Sequence, residues 1–195
     1  MRDDETKELR RGIRLDLVIA VCALLVSAAA TGASWWQSRV IADQLSAQVW
    51  PYLSIQTTYN PDGVALDVLN DGLGPAIVRS AVLTIDGKPV SNPADAVRLI
   101  FTNRKGRRMG SQLSDIGPGV VIRASATQRV FRLIAPWAVP QFAAASKRVD
   151  FSVCYCSLLG NCWQVAMSQT GDPVPVRTCP AVGAAQYKVP ALISP

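Results

Sequence analysis

The sequence predicts a mainly β protein in which an N-terminal transmembrane helix and a short stalk precede an antiparallel β-sandwich. Three observations predict it. One apolar run without charge lies near the N-terminus, about eight short alternating segments separated by turn residues fill most of the remainder, and four of the five cysteines lie beyond the apolar run.

Leu17 to Trp36 reads LVIAVCALLVSAAATGASWW, twenty residues without a charge. About twenty helical residues cross the roughly 30 Å hydrocarbon core of a bilayer. The run is apolar all round rather than along one stripe, which disfavours a soluble core helix. Trp35 and Trp36 close it, at the level where indole rings favour the lipid–water interface. Arg2, Lys7, Arg10, Arg11 and Arg14 precede the run, and only Arg39 lies in the fifteen residues after it. The positive-inside bias therefore places residues 1–16 in the cytoplasm as a leader and the rest outside the cytoplasmic (inner) membrane, on the periplasmic or extracytoplasmic side. A cleaved signal peptide is the rival, with Ala28, Ala30 and Ala33 as small residues for a peptidase. The run is longer than a usual signal core, and the leader mixes Asp3, Asp4, Glu5 and Glu8 with its cations. An uncleaved, single-pass anchor is the expectation.

Residues 37–50 form a stalk without glycine or proline before Trp50-Pro51. Ile41, Leu45 and Val49 recur every four residues and give it a short apolar stripe. Such a stripe suits packing on the following domain, or self-association of the stalk in a homo-oligomer. The helical stretch Ser38–Val49, twelve residues, is too short to define a coiled coil. Trp50-Pro51 ends the helical pattern, since the residue before proline is driven from the α region.

The β-domain is expected over 51–168. Tyr52–Tyr59 and Val64–Leu69 alternate around the turn Asn60-Pro61-Asp62-Gly63. Asn70-Asp71-Gly72-Leu73-Gly74-Pro75 is a second turn. Ala76–Ile85 is a β-rich run closed by Asp86-Gly87. Val97–Thr102, Val120–Ala124, Gln128–Ile134, Arg148–Ser157 and Cys162–Met167 also read as strands, and a short helix fits within Pro136–Ser146, especially around Gln141–Lys147. This spacing points to an antiparallel sandwich. Residues 169–195 form a proline-rich tail, expected to be extended, either along the domain or away from it.

The order of a membrane span, then W-P-Y-L, L-x-V-x-N-D-G-L-G-P-A, D-G-K-P-V and C-Y-C-S-L-L-G-N-C-W resembles a loosely defined group of uncharacterised bacterial single-pass membrane proteins. Their exported part resembles an immunoglobulin-like β-sandwich. The likeness spans roughly residues 50–168 and implies an Ig-like fold and an envelope location, with no catalytic residue to carry over. The turn at Asn70, Gly72, Gly74 and Pro75 is its most specific piece. Gly72 and Gly74 supply positive φ or close backbone approach, and Pro75 fixes the exit. A phosphate-binding loop would lead into a helix, and a β-rich run follows instead.

Cys22 lies in the span as a small apolar residue. Cys154, Cys156, Cys162 and Cys179 form an even set in an exported segment, which suggests two disulfides and allows three pairings. Cys154 and Cys156, two apart on a strand, share a face. Cys156 and Cys162 flank the five-residue hairpin loop Ser157–Asn161 and face each other at its mouth. Cys154–Cys179 follows by elimination and would pin the tail. Zinc is disfavoured because C-x-C-x5-C-x16-C lacks paired knuckles. A thiol-redox site would want an exposed cysteine beside a cation or a helix N-terminus.

The leader carries five cations and five anions, so the whole net charge of +6 belongs to the chain beyond it. Four cations sit in one glycine-centred loop: Arg104, Lys105, Arg107 and Arg108. A solvated loop is one reading, and contact with an anionic surface or acidic partner is the other. Nucleic acid fits poorly, because no aromatic residues interleave the cluster.

The chain has no histidine. That excludes Ser-His-Asp and Cys-His sites and His-ligated metals. No glutamate follows residue 8, and no lysine outside the leader reads as the desolvated partner of a Ser–Lys dyad. The expectation is a non-catalytic binding or scaffolding module. It would have no cofactor or metal and would be anchored in the bilayer, with a protein partner in the envelope. The alternative is an exported thiol-redox or chaperone-like factor using the four cysteines. An uncleaved anchor predicts that the protein from native membranes retains its full mass of 20.9 kDa. Intact-mass spectrometry would show loss of about thirty residues if the segment were a signal peptide.

Overall fold

The computed structural model describes residues 2–102 and 106–189, with side chains from Leu17 onward except that of Ser46. The chain forms two compact units, Met1–Ser46 and Ala47–Pro195.

Helix α1 (Arg2–Gln48) runs through leader, span and stalk without interruption. Its stretch Leu17–Leu45 is long and apolar enough to cross a membrane. The hydroxyls inside it do not spoil that apolar surface. Ser27, Thr31, Ser34 and Ser38 each donate to the carbonyl four residues back, at 2.8–2.9 Å, so each finds its partner within the helix. Trp35 and Trp36 are exposed, and the Arg39 guanidinium sits 4.2 Å from the Trp35 ring centroid.

Among its described residues, the second unit holds ten strands and two short α-helices. They are β1 (Leu53–Asn60), β2 (Gly63–Asn70), β3 (Ala76–Ile85), β4 (Lys88–Pro89), α2 (Pro93–Ile100), β5 (Gly110–Leu113), β6 (Val121–Ile122), β7 (Thr127–Ile134), α3 (Ala138–Ala145), β8 (Val149–Cys156), β9 (Cys162–Ala166) and β10 (Val174–Val176). One antiparallel sheet has the order β1-β2-β7-β5. The other has the order β10-β9-β8-β3-β4, with β6 also on β3. Both sheets feed one apolar core that includes Leu53, Leu66, Val68, Val130 and Leu133 from the first, and Val78, Leu83, Phe151, Val153 and Tyr155 from the second. In β8 the odd residues Val149 to Tyr155 enter this core, while Cys154 and Cys156 alternate to the other face. Asp86 and Gly87 both have positive φ (53° and 74°), as a two-residue type I′ hairpin between β3 and β4 requires.

Three sequence expectations change. Val97–Thr102 is not a strand; most of it lies in α2. Asn92 caps that helix by accepting a hydrogen bond from the Ala94 amide at 2.9 Å, and Pro93 stands at its first position. Capping and an apolar face of Ala96, Val97 and Ile100 override the β-branched composition. Of the Val120–Ala124 run, only Val121–Ile122 pairs. The domain also does not stop at residue 168. The tail supplies β10, an edge strand in which Pro175 faces Trp163. An edge position accepts a proline because no further strand needs its missing N–H.

The tail then reaches the opposite side of the same sheet. The Tyr187 amide donates to the Ala81 carbonyl at 2.8 Å, and the Gln186 side chain accepts from the Ala81 amide at 3.2 Å. These bonds satisfy the β3 edge between β6 and β4, where no strand pairs. The Tyr187 ring is buried and meets Phe151 edge-on at 5.7 Å.

Strand register defines two ends of the domain. At one end lie the entering chain before Leu53, the 70–75 turn, the segment after β6 and the β8–β9 hairpin loop. At the other lie the Asn60–Gly63 turn, the Asp86-Gly87 turn, α3 and the start of β5 at Gly110, which faces Ile134.

Asn70 holds the entry end together. It is 1% exposed. Its amide nitrogen donates to the carbonyls of Gly74 (2.8 Å) and Ile122 (3.0 Å). Its oxygen accepts from the amides of Tyr52 (3.2 Å) and Gly72 (3.1 Å). All four hydrogen-bonding capacities of the side chain are used. The glycines are required by contact rather than by φ. A Cβ on Gly72 would strike the Trp50 carbonyl oxygen and the Tyr52 nitrogen, and one on Gly74 would strike the Val49 carbonyl. Asn70→Ala is expected to destabilise the domain by about 2–4 kcal/mol, because buried donors and acceptors lose their partner. Asn70→Asp should be no milder, since it turns two donors into an acceptor facing carbonyls. Urea-unfolding midpoints of the disulfide-intact variants check both.

Candidate functional site

The entry end also carries the sulfur chemistry. The Ser157 amide donates to the Asn161 carbonyl at 2.8 Å, which makes residues 157 and 161 a hydrogen-bonded pair. The next pair, Cys156 and Cys162, is therefore of the narrow, non-hydrogen-bonded kind, with Cα atoms 4.0 Å apart and a disulfide between them. A second disulfide joins Cys154 to Cys179, with Cα atoms 5.7 Å apart. It ties the tail to β8 between its two anchor points on β9 and β3. Cys154 and Cys156 are buried, and Cys162 and Cys179 are half-buried. The two disulfides are neighbours: the sulfurs of Cys156, Cys162 and Cys179 all lie within 4.8 Å of one another. Cys22 is the one unpaired cysteine among the described residues.

Cys162 lines a groove of about 280 Å³ together with Asn161, Trp163, Pro175 and Arg177. Arg177 is exposed and stands two residues before Cys179. Tyr155 backs the cluster from the core side. Its ring stacks on Trp163 at 5.9 Å, and its hydroxyl accepts from the Leu53 amide at 3.1 Å. That bond links the two sheets beside the entry point.

Arg107 and Arg108, just before Gly110, lie at the opposite end of the domain. Arg104 and Lys105 lie outside the described residues. Arg107 and Arg108 are exposed and in no ion pair among the described residues. Trp137 holds this half of the loop. Its indole N–H donates to the Arg108 carbonyl at 3.2 Å, the Arg107 guanidinium lies 5.7 Å from its ring, and its far side meets Phe101 edge-on at 5.8 Å. Lys147 and Arg148 follow α3 at the same end. Arg148 clamps Asp86 through two nitrogens, at 2.7 and 2.5 Å, and holds that carboxyl below its ordinary pKa.

The structure thus separates the residues singled out from the sequence into three places. Trp35 and Trp36 are on α1, the four cysteines and the Asn70–Pro75 turn are at the entry end of the domain, and Arg107 and Arg108 are at the far end. Sequence reasoning missed Arg177 and Trp163 as neighbours of the cysteines, because β10 brings them there across a turn. It also missed Trp137, whose role depends on contacts distant in the chain.

No family model, curated protein or solved structure matches the chain.

Burial holds the Tyr155 phenol neutral and raises its pKa to about 12, partly offset by its bond to the Leu53 amide. Tyr187 is also raised, by burial and then by Asp115. In the unfolded chain both phenols ionise near pH 10. Between that value and about 12 the folded state keeps the Tyr155 proton that the unfolded state has released, so stability falls as pH rises through this window. Tyr155 alone accounts for a loss of about 2–3 kcal/mol. Unfolding midpoints measured from pH 9 to 12 should decline over that range, and the decline should shrink in Tyr155→Phe.

Proposed function

We propose that the protein is a membrane-anchored extracytoplasmic binding and scaffolding module of the bacterial cell envelope. Its Ig-like domain would present a cationic end to an anionic partner. The observation that supports this reading is the position of Arg107 and Arg108. They stand just before Gly110, which strand register sets at the end of the domain opposite the one where the chain enters. Eight strand residues separate the two ends by about 26 Å. Arg107, Arg108 and Lys147 gather at the far end, and a cluster of one sign steers an oppositely charged partner. Two disulfides support an oxidising compartment, and the cations before Leu17 support a cytoplasmic N-terminus.

The test is photo-crosslinking in native membranes. A photoreactive residue replacing Gly106 should give a discrete adduct. One replacing Asp62, whose turn lies at the same end on the other sheet, should give less of it, and one replacing Leu73 at the entry end should give none. Reversing the charges of Arg104, Lys105, Arg107 and Arg108 should reduce the Gly106 adduct at least tenfold. An unchanged adduct after charge reversal, or equal adducts from Leu73, would sink the proposal.

A further inference from the structure

We propose that the two disulfides form a single exchange site for an exported dithiol reductant, and do not act as two independent staples. Two observations carry this, neither of which involves the basic end. The sulfurs of Cys156, Cys162 and Cys179 lie within 4.8 Å of one another, so a thiolate released from one disulfide faces the other. Burial differs within each disulfide: Cys154 and Cys156 are buried residues, while their partners Cys179 and Cys162 are half-buried, so a thiol arriving from solvent meets Cys162 before Cys156.

The reaction follows from that order of access. A thiolate of the reductant attacks the Cys162 sulfur, forming a mixed disulfide and releasing the Cys156 thiolate. Cys156 then attacks the Cys179 sulfur. The Cys156–Cys179 bond forms, the Cys154–Cys179 bond breaks, and Cys154 leaves as the thiolate. The reductant's second thiol attacks its own sulfur in the mixed disulfide and frees Cys162. The reductant loses two electrons and two protons and becomes a disulfide. The protein gains them as thiols at Cys154 and Cys162 and keeps one disulfide, now between Cys156 and Cys179. The tail stays covalently attached throughout, with its tether moved two residues along β8.

The experiment uses the full chain in detergent, with dithiothreitol as the dithiol. Partial reduction is stopped with acid, new thiols are alkylated, and the bonds are mapped by proteolysis and fragmentation mass spectrometry. The expected first product has alkylated Cys154 and Cys162 with a Cys156–Cys179 bond. A first product that has alkylated Cys156 and Cys162 with Cys154–Cys179 intact, or the reverse, would overturn the proposal. A second measurement uses the Cys156→Ser/Cys162→Ser double variant, in which the reductant must attack Cys154–Cys179 directly. Its reduction should be at least tenfold slower than loss of that bond in the native chain, and an equal rate would equally overturn the relay.

Discussion

The side chain of Asn70 is the interaction on which the β-domain depends. It ties three segments together from one side chain: the incoming chain at Tyr52, the turn at Gly72 and Gly74, and the end of β6 at Ile122. Its backbone adds two further bonds to the 125–126 segment. A buried amide with every capacity filled fixes a single arrangement, since any shift leaves a polar group unpaired in a dry site. The two glycines allow this by letting backbone touch backbone. The same end then receives the Tyr155 hydroxyl on the Leu53 amide, so one polar cluster sets both the entry of the chain and the spacing of the sheets.

The disulfides extend that fixed end across the outer face of the second sheet. The tail begins as β10 on one edge and ends at Ala81 on β3. Between those points it has no ladder to hold it, and the Cys154–Cys179 bond lies in that interval. Closing a loop of this length contributes on the order of 3 kcal/mol in the chain-entropy account. Tyr187 completes the attachment by entering the core beside Phe151. The described part of this segment is thus a strap over the sheet, and Pro175 sits on its edge strand, where no further strand asks for an N–H.

What could be read from the sequence was whatever local chemistry decides. The long apolar helix was legible because twenty charge-free residues need no tertiary partner to declare themselves. The long strands were legible because alternation and turn dipeptides are short-range signals, and the Cys156–Cys162 facing pair follows from hairpin geometry alone. Val97–Thr102 misled because its β-rich composition was weighed without the Asn92-Pro93 cap ahead of it. The strands β4, β5 and β10 have two to four residues each, too few for a period to show. The groove beside Cys162 was invisible for another reason. Arg177 enters it only because β10 pairs with β9 in a particular register, which no window of the chain contains.

The buried polar groups bear on the choice between contact and catalysis. Asp67, at 7% exposure the one carboxylate among the buried described residues, is engaged by Arg129 through two hydrogen bonds across β2 and β7. Gln186 is engaged by the β3 edge, and Asn70 by the entry turn. Each of these three side chains is committed to holding backbone or a neighbour in place. Ser157 Oγ, beside the cysteines, and the Tyr187 hydroxyl are the buried side-chain groups without a hydrogen-bond partner among the described residues. If both proposals hold, partner contact and thiol exchange would take place at opposite ends of the domain, separated by the length of the long strands.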